Sequence, residues 1–185
     1  MKVVGDRVVS QQEWTVLRAK QYVDRAGRTK EWTYIERRNQ QRAVVLVPVC
    51  QRSGALVLIQ QYRVPLEREI LEFPAGLVEP HEDLGLAAQR ELLEETGYRG
   101  SVVEIGPSVC TSPGITSESV HIVYMDGGEE PEGTASPDSS EKITVIKVCV
   151  SEFAKIIEEA RRGSSILDAR VYLYLRERVA DGWKV

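Results

Sequence analysis

The chain has 185 residues, of which 42% are hydrophobic and 28% charged, a balance typical of a soluble globular protein with a substantial core. Its 28 acidic and 24 basic residues leave a formal net charge of -4, which argues against non-specific binding to nucleic acid or to anionic membranes. No stretch approaches the roughly 20 apolar residues that span a bilayer, and the N-terminus lacks the pattern of a signal peptide.

Residues 1–40 are predicted to form strands that carry many polar and aromatic side chains. The strands lie around residues 15–23 and 31–37, and the turn signal Asp24-Arg25-Ala26-Gly27 between them predicts a hairpin. This segment is too polar to form a core alone. We therefore assign residues 1–40 to an N-terminal β-extension and residues 41–185 to the main domain.

The next elements are predicted to be buried strands followed by a helix. Residues 43–49 form a continuous apolar run suited to a strand buried on both faces, and residues 55–62 return as a second strand after the Ser53-Gly54 turn. A brief strand at 70–73 and a loop at 75–82 lead to a helix over about 83–96. Gly97 suits the left-handed position that ends many helices.

The C-terminal half completes a mixed sheet covered by helices. Strands are predicted near 101–110, 119–125 and 143–150, and helices over 151–162 and about 168–180. Residues 126–140 are rich in Gly, Glu, Pro, Asp and Ser and predict a polar loop of about 15 residues, a length that is often functional or disordered.

The three cysteines, Cys50, Cys110 and Cys149, show no CxxC spacing. Cys50 and Cys149 lie in apolar runs, so we expect buried thiols rather than metal ligands or disulfides. Free thiols and the absence of a signal pattern predict a cytoplasmic protein.

The helix over 83–96 concentrates carboxylates on one face. Glu91 is three residues from Glu94 and four from Glu95, spacings at which like charges destabilise a helix by about 0.2–0.5 kcal/mol per pair. Divalent cations explain such a cluster, because Mg²⁺ takes oxygen ligands, joins carboxylates to substrate phosphates and acidifies bound water. Arg90 has the fork geometry to hold one glutamate in place. The alternative, a solvated acidic helix, is typical of glutamate-rich helices in general.

The segment from Gly76 to Tyr98 resembles, without a departure, the box that defines the Nudix superfamily. The resemblance implies an α/β/α sandwich with a mixed β-sheet and an N-terminal antiparallel β-extension, and hydrolysis of a nucleoside diphosphate linked to another group. It implies Mg²⁺ as cofactor, with Mn²⁺ as a possible substitute. The ligands implied are Glu91, Glu95 and the backbone carbonyl of Ala75, with Glu94 and Arg90 assisting catalysis.

Residues outside the box are similar to the ADP-ribose and ADP-sugar pyrophosphatase branch of this superfamily. Pro113 lies 16 residues after Gly97, where that branch carries a proline. The runs Glu69-Ile70-Leu71-Glu72-Phe73-Pro74-Ala75-Gly76-Leu77 and Asp168-Ala169-Arg170-Val171-Tyr172 look like the same branch. Pro113-Gly114 alone is equally typical of a plain turn.

The resemblance carries over further residues for substrate binding and proton transfer. Trp14 and Trp32 match two aromatics that sandwich the adenine, one from each subunit of a homodimer, although packing residues are the alternative. Arg37 and Arg63 match arginines that grip phosphates or the terminal ribose. Leu77 and Ser112 complete the implied substrate contacts. The implied general base is Glu141, on the long loop, with Glu129, Glu130 and Glu132 as alternatives.

These features predict hydrolysis of ADP-ribose or a related ADP-sugar to AMP and a sugar phosphate. Other nucleoside diphosphate sugars and oxidised guanine nucleotides remain alternative substrates. A non-catalytic ADP-ribose sensor is a rival from another class, but such sensors tend to lose box glutamates, whereas this chain keeps Glu82, Glu91, Glu94 and Glu95.

Overall fold

The computed structural model describes residues 1–38, 42–136 and 142–180 and divides into two compact units. The first consists of Met1–Ala43 with Ser108–His121, and the second of Val44–Pro107 with the chain from Ile122 onward. The segment at 108–121, which the sequence did not assign to the N-terminal strands, thus belongs with them.

The first unit is built on a three-stranded antiparallel sheet in the order β1-β2-β3. Its strands are β1 (Lys2–Gln11), β2 (Thr15–Val23) and β3 (Thr29–Arg37). The predicted hairpin is confirmed, because β2 pairs with β3 along its whole length and the Asp24 carboxylate accepts hydrogen bonds from the amides of Ala26 and Arg28 in the turn. Few of the side chains in the three strands are buried: Val16, Ala19 and Tyr34.

The returning segment at 108–121 joins this unit through β3. The amide of Ile35 donates to the carbonyl of Ile115 at 2.8 Å, and the amide of Ser117 donates to the carbonyl of Ile35 at 3.0 Å. These two bonds form an isolated parallel bridge rather than a fourth strand. They hold the turn that contains Pro113 beside β3.

The main sheet is mixed, as predicted. Its strands are β4 (Ala43–Val49), β5 (Leu56–Arg63), β6 (Arg68–Glu72), β7 (Ala75–Leu77), β8 (Ser101–Cys110), β9 (Ser119–Asp126), β10 (Ile143–Val148) and β11 (Ile166–Leu167). They run in the order β11-β6-β5-β4-β9-β8, with β10 paired to β5 and β7 paired to β4. Strands β6 and β11 are parallel, whereas β5 is antiparallel to β6 and β10.

Three helices accompany this sheet: α1 (Leu84–Thr96), α2 (Phe153–Arg161) and α3 (Ala169–Ala180). Helix α1 begins where the Asp83 side chain accepts a hydrogen bond from the amide of Gly85, and ends at Gly97 with φ 76°. Its apolar face packs into the core. Its residues Ala88 and Leu92 share the core with Val44, Leu46, Val57, Val123 and Met125.

Several predicted boundaries are wrong for local reasons. The predicted loop at 75–82 begins with the short strand β7, and the predicted helix at 151–162 begins as a 3₁₀ turn before α2. Cys50 is buried, but Cys149 is exposed, because the apolar run ends with β10 and Cys149 starts the turn. All three cysteines are free thiols. Across the described ranges, no helix is long and apolar enough to cross a membrane.

Candidate active site

Arg90 lies at the centre of the carboxylates of α1. Its Nε and Nη2 donate to the two carboxylate oxygens of Glu82, each at 2.9 Å, and Nη2 also donates to the carbonyl of Leu77 at 2.9 Å. Its Nη1 donates to Glu91 at 2.8 Å and to Glu94 at 3.0 Å. One guanidinium therefore offsets the repulsion that the glutamate spacing creates, and ties the helix to the end of β7.

The surroundings of Glu91 and Glu82 shift the pKa values of these two carboxylates in opposite directions. Burial raises the pKa of Glu91, and the hydrogen bond from Arg90 opposes this rise. By contrast, the hydrogen bond from Arg90 lowers the pKa of Glu82, and that same bond raises the pKa of Arg90. A further cation beside Glu91 would favour the charged form that burial disfavours.

Strand β7 lies directly against both carboxylates of the predicted metal site, Glu91 and Glu95. Glu95 is only 6% exposed, and its Oε2 accepts a hydrogen bond from the amide of Ala75 at 2.9 Å. A Cβ atom placed on Gly76 would lie 1.8 Å from Cδ of Glu91. Only glycine at position 76 leaves the Glu91 carboxylate where it is.

The residues present fit a hard divalent cation. Among the residues that the structure describes, no three His, Cys, Asp or Glu side chains are grouped so as to hold an ion by themselves. Glu91 and Glu95 nevertheless flank the backbone of Ala75 and Gly76, and all their donor atoms are oxygen. This donor set suits Mg²⁺, which is commonly bound by one or two protein carboxylates and completed by water and substrate phosphates.

Each predicted phosphate-binding arginine is held by a glutamate for which no role was predicted. Arg63 donates from Nε and Nη2 to the two oxygens of Glu72, at 2.8 and 2.6 Å. Arg37 donates to one oxygen of Glu118, at 3.1 and 2.5 Å. Glu118 is 81 residues from its partner, so local sequence carries no signal for this pair. Glu72 offered one signal, since it is a charged residue within an otherwise apolar run.

The predicted aromatic contacts lie in the first unit. Trp14 is 71% exposed and Trp32 is 53% exposed. Trp32 donates from its indole N–H to the carbonyl of Gly114 at 3.1 Å, and it lines a cavity of about 420 Å³ together with Tyr22, Tyr34 and Pro113. The structure thus brings Trp32 and Pro113 together, whereas Trp14 is not part of the lining. Ser112 is half-buried, and its carbonyl accepts from the amides of Ile115 and Thr116.

The predicted general base, Glu141, lies outside the described residues. The three alternatives on the same loop all have partners. Glu129 accepts hydrogen bonds from the amides of Arg52 and Ser53 and from the Ser53 hydroxyl. Glu130 forms an ion pair with Lys147 at 3.5 Å, and Glu132 forms one with Arg99 at 3.7 Å.

Comparisons with known proteins show a family and several relatives of this chain. A family profile described as the NUDIX domain matches residues 39–168. The chain is 30% identical over 184 residues to an ADP-sugar pyrophosphatase of Mus musculus, covering 93% of this chain and 84% of the relative. It is 37% identical over 134 residues to a methanol dehydrogenase activator of Bacillus methanolicus, covering 72% of each chain. A crystal structure titled ADP compounds hydrolase shares the fold, with a TM-score of 0.70 at 23% identity over 98% of this chain and 94% of the other.

Proposed function

The chain belongs to the NUDIX family, and on that basis we propose that it hydrolyses the diphosphate bond of ADP-ribose or a related ADP-sugar to AMP and a sugar phosphate. The observation that carries the proposal is the cluster of Glu82, Glu91, Glu94 and Glu95 around Arg90 and β7. The name of the relative from Mus musculus supports the choice of an ADP-sugar.

The family generally uses divalent metal ions, and we assign Mg²⁺ to this chain, with Mn²⁺ as a possible substitute. Glu91, Glu95 and the carbonyl of Ala75 are the residues assigned to hold it. When bound, the ion neutralises diphosphate charge and activates water. Arg90 holds Glu91 and Glu94 in place on α1 through its hydrogen bonds, and Glu94 assists from the same face.

The remaining assignments concern the substrate. Trp14 and Trp32 are assigned to stack on the adenine, and Arg37 and Arg63 are assigned to the diphosphate or terminal ribose. Stacking of a base on an aromatic side chain contributes about 1–3 kcal/mol in other sites. Leu77 and Ser112 complete the proposed contacts.

A homodimer is part of the proposal. Many apolar side chains of the first unit are exposed in the single chain, which is the pattern of a surface that a second copy covers. They include Val3, Val4, Val8, Val9, Trp14, Trp32 and Ile35. Light scattering on the active protein tests this point, and a fully active monomer would contradict the shared site.

Product analysis tests the proposed reaction. The protein is incubated with ADP-ribose and MgCl₂, and the products are separated by ion-exchange chromatography. We expect equal amounts of AMP and ribose 5-phosphate. A parallel panel of GDP- and UDP-sugars and 8-oxo-guanosine diphosphate ranks the substrates by kcat/KM. If no AMP forms above the enzyme-free blank, ADP-ribose is not a substrate. If another compound of the panel has a higher kcat/KM, that compound is the preferred substrate.

Glu141→Gln is expected to lower kcat for ADP-ribose by about 100-fold, because general-base catalysis typically contributes 10²–10⁴-fold. KM is expected to stay within about a factor of two, since the amide keeps the shape of the side chain. Initial rates over a range of substrate concentrations measure both constants. Glu130→Gln on the same loop is the comparison variant. If kcat falls in Glu130→Gln but not in Glu141→Gln, the general base is Glu130 and not Glu141.

Trp32→Ala is expected to raise KM for ADP-ribose by about tenfold while kcat changes little. The reason is that stacking on the base stabilises the bound substrate and the transition state equally. Trp32→Phe is the informative comparison, since it keeps an aromatic ring but loses the hydrogen bond from the indole to Gly114. We expect it to recover most of the affinity. An unchanged KM in Trp32→Ala would return this side chain to a packing role.

A further inference from the structure

Glu72 is a buried carboxylate outside the glutamates of α1. It ends β6 and is 6% exposed, between Leu71 and the buried Phe73. An ionised carboxylate in such surroundings is costly unless a cation and hydrogen bonds compensate it. The cation that compensates Glu72 is therefore the first clue to the role of this carboxylate.

That partner, Arg63, reaches Glu72 along the sheet. In the antiparallel register of β5 and β6, Glu72 is opposite Ile59, whereas Arg63 is opposite Arg68. The two positions are therefore offset by four residues along the strands, about 13 Å at the usual strand rise, and both side chains reach towards each other across that offset. Its guanidinium meets the carboxylate with two parallel hydrogen bonds, at 2.8 and 2.6 Å. The carboxylate therefore orients the guanidinium.

The two partners differ in exposure. The side chain of Glu72 is 7% exposed, and that of Arg63 is 42% exposed. A pair that serves only the core would be buried on both sides. Here a buried anion holds a cation whose side chain is partly exposed.

The place of this pair in the chain connects it to the predicted metal site. Glu72 is three residues before Ala75, whose amide binds Glu95. Pro74 between them is buried, and its carbonyl accepts a hydrogen bond from Leu46 of the central strand β4. The end of β6 is thereby fixed relative to β7 and to the carboxylates of α1.

We propose that Glu72 is a positioning residue that holds the Arg63 guanidinium in the orientation that grips the substrate diphosphate. This inference rests on the proposed function, because it takes the diphosphate as the partner of Arg63. We assign Glu72 no direct contact with substrate or metal, because both of its carboxylate oxygens already accept from Arg63. A planar, two-pronged cation held in this way matches phosphate oxygens without further ordering on binding.

A double-mutant cycle tests the proposal. We expect Glu72→Gln to raise KM for ADP-ribose by about tenfold and to leave kcat within about a factor of two, because the amide no longer fixes the guanidinium. Arg63→Ala is expected to raise KM at least as much. Glu72→Gln added to Arg63→Ala is expected to have no further effect on KM, since Glu72 acts only through Arg63. Glu69→Gln, on the same strand and 3.8 Å from Lys142, is the control expected to behave as wild type.

Three results would overturn the proposal. Independent, multiplying effects on KM would show that Glu72 does not act through Arg63. A large rise in the Mg²⁺ concentration for half-maximal rate in Glu72→Gln would make Glu72 a metal ligand. A fall in melting temperature with unchanged KM would make the pair purely structural.

Isothermal titration calorimetry with ADP measures binding to the wild type and to the same three variants without turnover. It therefore separates this inference from the proposed function. If wild type releases no AMP from ADP-ribose but the two substitutions weaken ADP binding non-additively, the function fails and the inference stands. If AMP is released and Glu72→Gln binds ADP as wild type does, the inference fails and the function stands.

Discussion

Glu95→Gln is expected to lower kcat for ADP-ribose by about a thousandfold, because it removes one charge from the proposed metal site and almost nothing else. Glu95 is 6% exposed, and its Oε2 accepts from the amide of Ala75. The amide oxygen of glutamine keeps this hydrogen bond and the same volume. A neutral amide binds Mg²⁺ far more weakly than a carboxylate does, and a bound ion contributes several kcal/mol to stabilising the transition state.

Initial rates measured over a range of Mg²⁺ concentrations test this effect, and a thermal melting curve tests whether the variant is folded. We expect excess Mg²⁺ to restore part of the rate in Glu95→Gln, since the defect is in metal affinity. Glu104→Gln, at an exposed position on β8, is the matched control and should keep the wild-type rate. Wild-type kcat in Glu95→Gln, with an unaltered Mg²⁺ dependence, would take Glu95 out of the metal site.

The sequence predicts α1 closely because everything that defines this helix is local. The Asp83 cap, the apolar positions Ala88 and Leu92 and the left-handed Gly97 all lie within one short segment. The buried strands β4 and β5 are equally predictable, since continuous apolar runs between turn residues have few other structures available.

Strands β1 and β7 escape prediction for two different reasons. In β1 the valines come in adjacent pairs, Val3-Val4 and Val8-Val9, and all four are exposed, so polar and apolar residues do not alternate. The three residues of β7 are too few to show a period. This strand is fixed by tertiary contacts, above all the hydrogen bonds from Ala75 to Glu95 and from Arg90 to Leu77.

The candidate site likewise contains residues that local sequence predicts and residues that only the folded chain brings together. Spacing alone places Glu91, Glu94 and Glu95 on one helix face, because helical geometry is local. The partners Glu72 and Glu118 come from other strands or segments, so they emerge only when the chain is folded. Glu141 lies outside the described residues, and its role stays a prediction.

Gly76→Ala is expected to lower kcat by between about 100- and 1,000-fold while leaving the fold nearly unchanged. The added methyl carbon would lie 1.8 Å from Cδ and 2.0 Å from Oε1 of Glu91. The Glu91 carboxylate must therefore move, and with it goes its hydrogen bond from Arg90. A misplacement of about 1 Å in a catalytic group can cost 10²-fold, and loss of a metal ligand adds to that.

The small effect on stability is what makes this substitution informative. The atoms in conflict are the tip of a flexible side chain, so rotation of Glu91 relieves the clash without moving the backbone of β7. Gly5→Ala is the matched control, because a Cβ there meets its nearest atom at an ordinary 3.5 Å. Circular dichroism melting and a Mg²⁺ titration of the rate separate the two effects. A large loss of stability would show that the close contact of Gly76 with Glu91 serves folding, whereas wild-type activity would show that Glu91 is not needed where the structure places it.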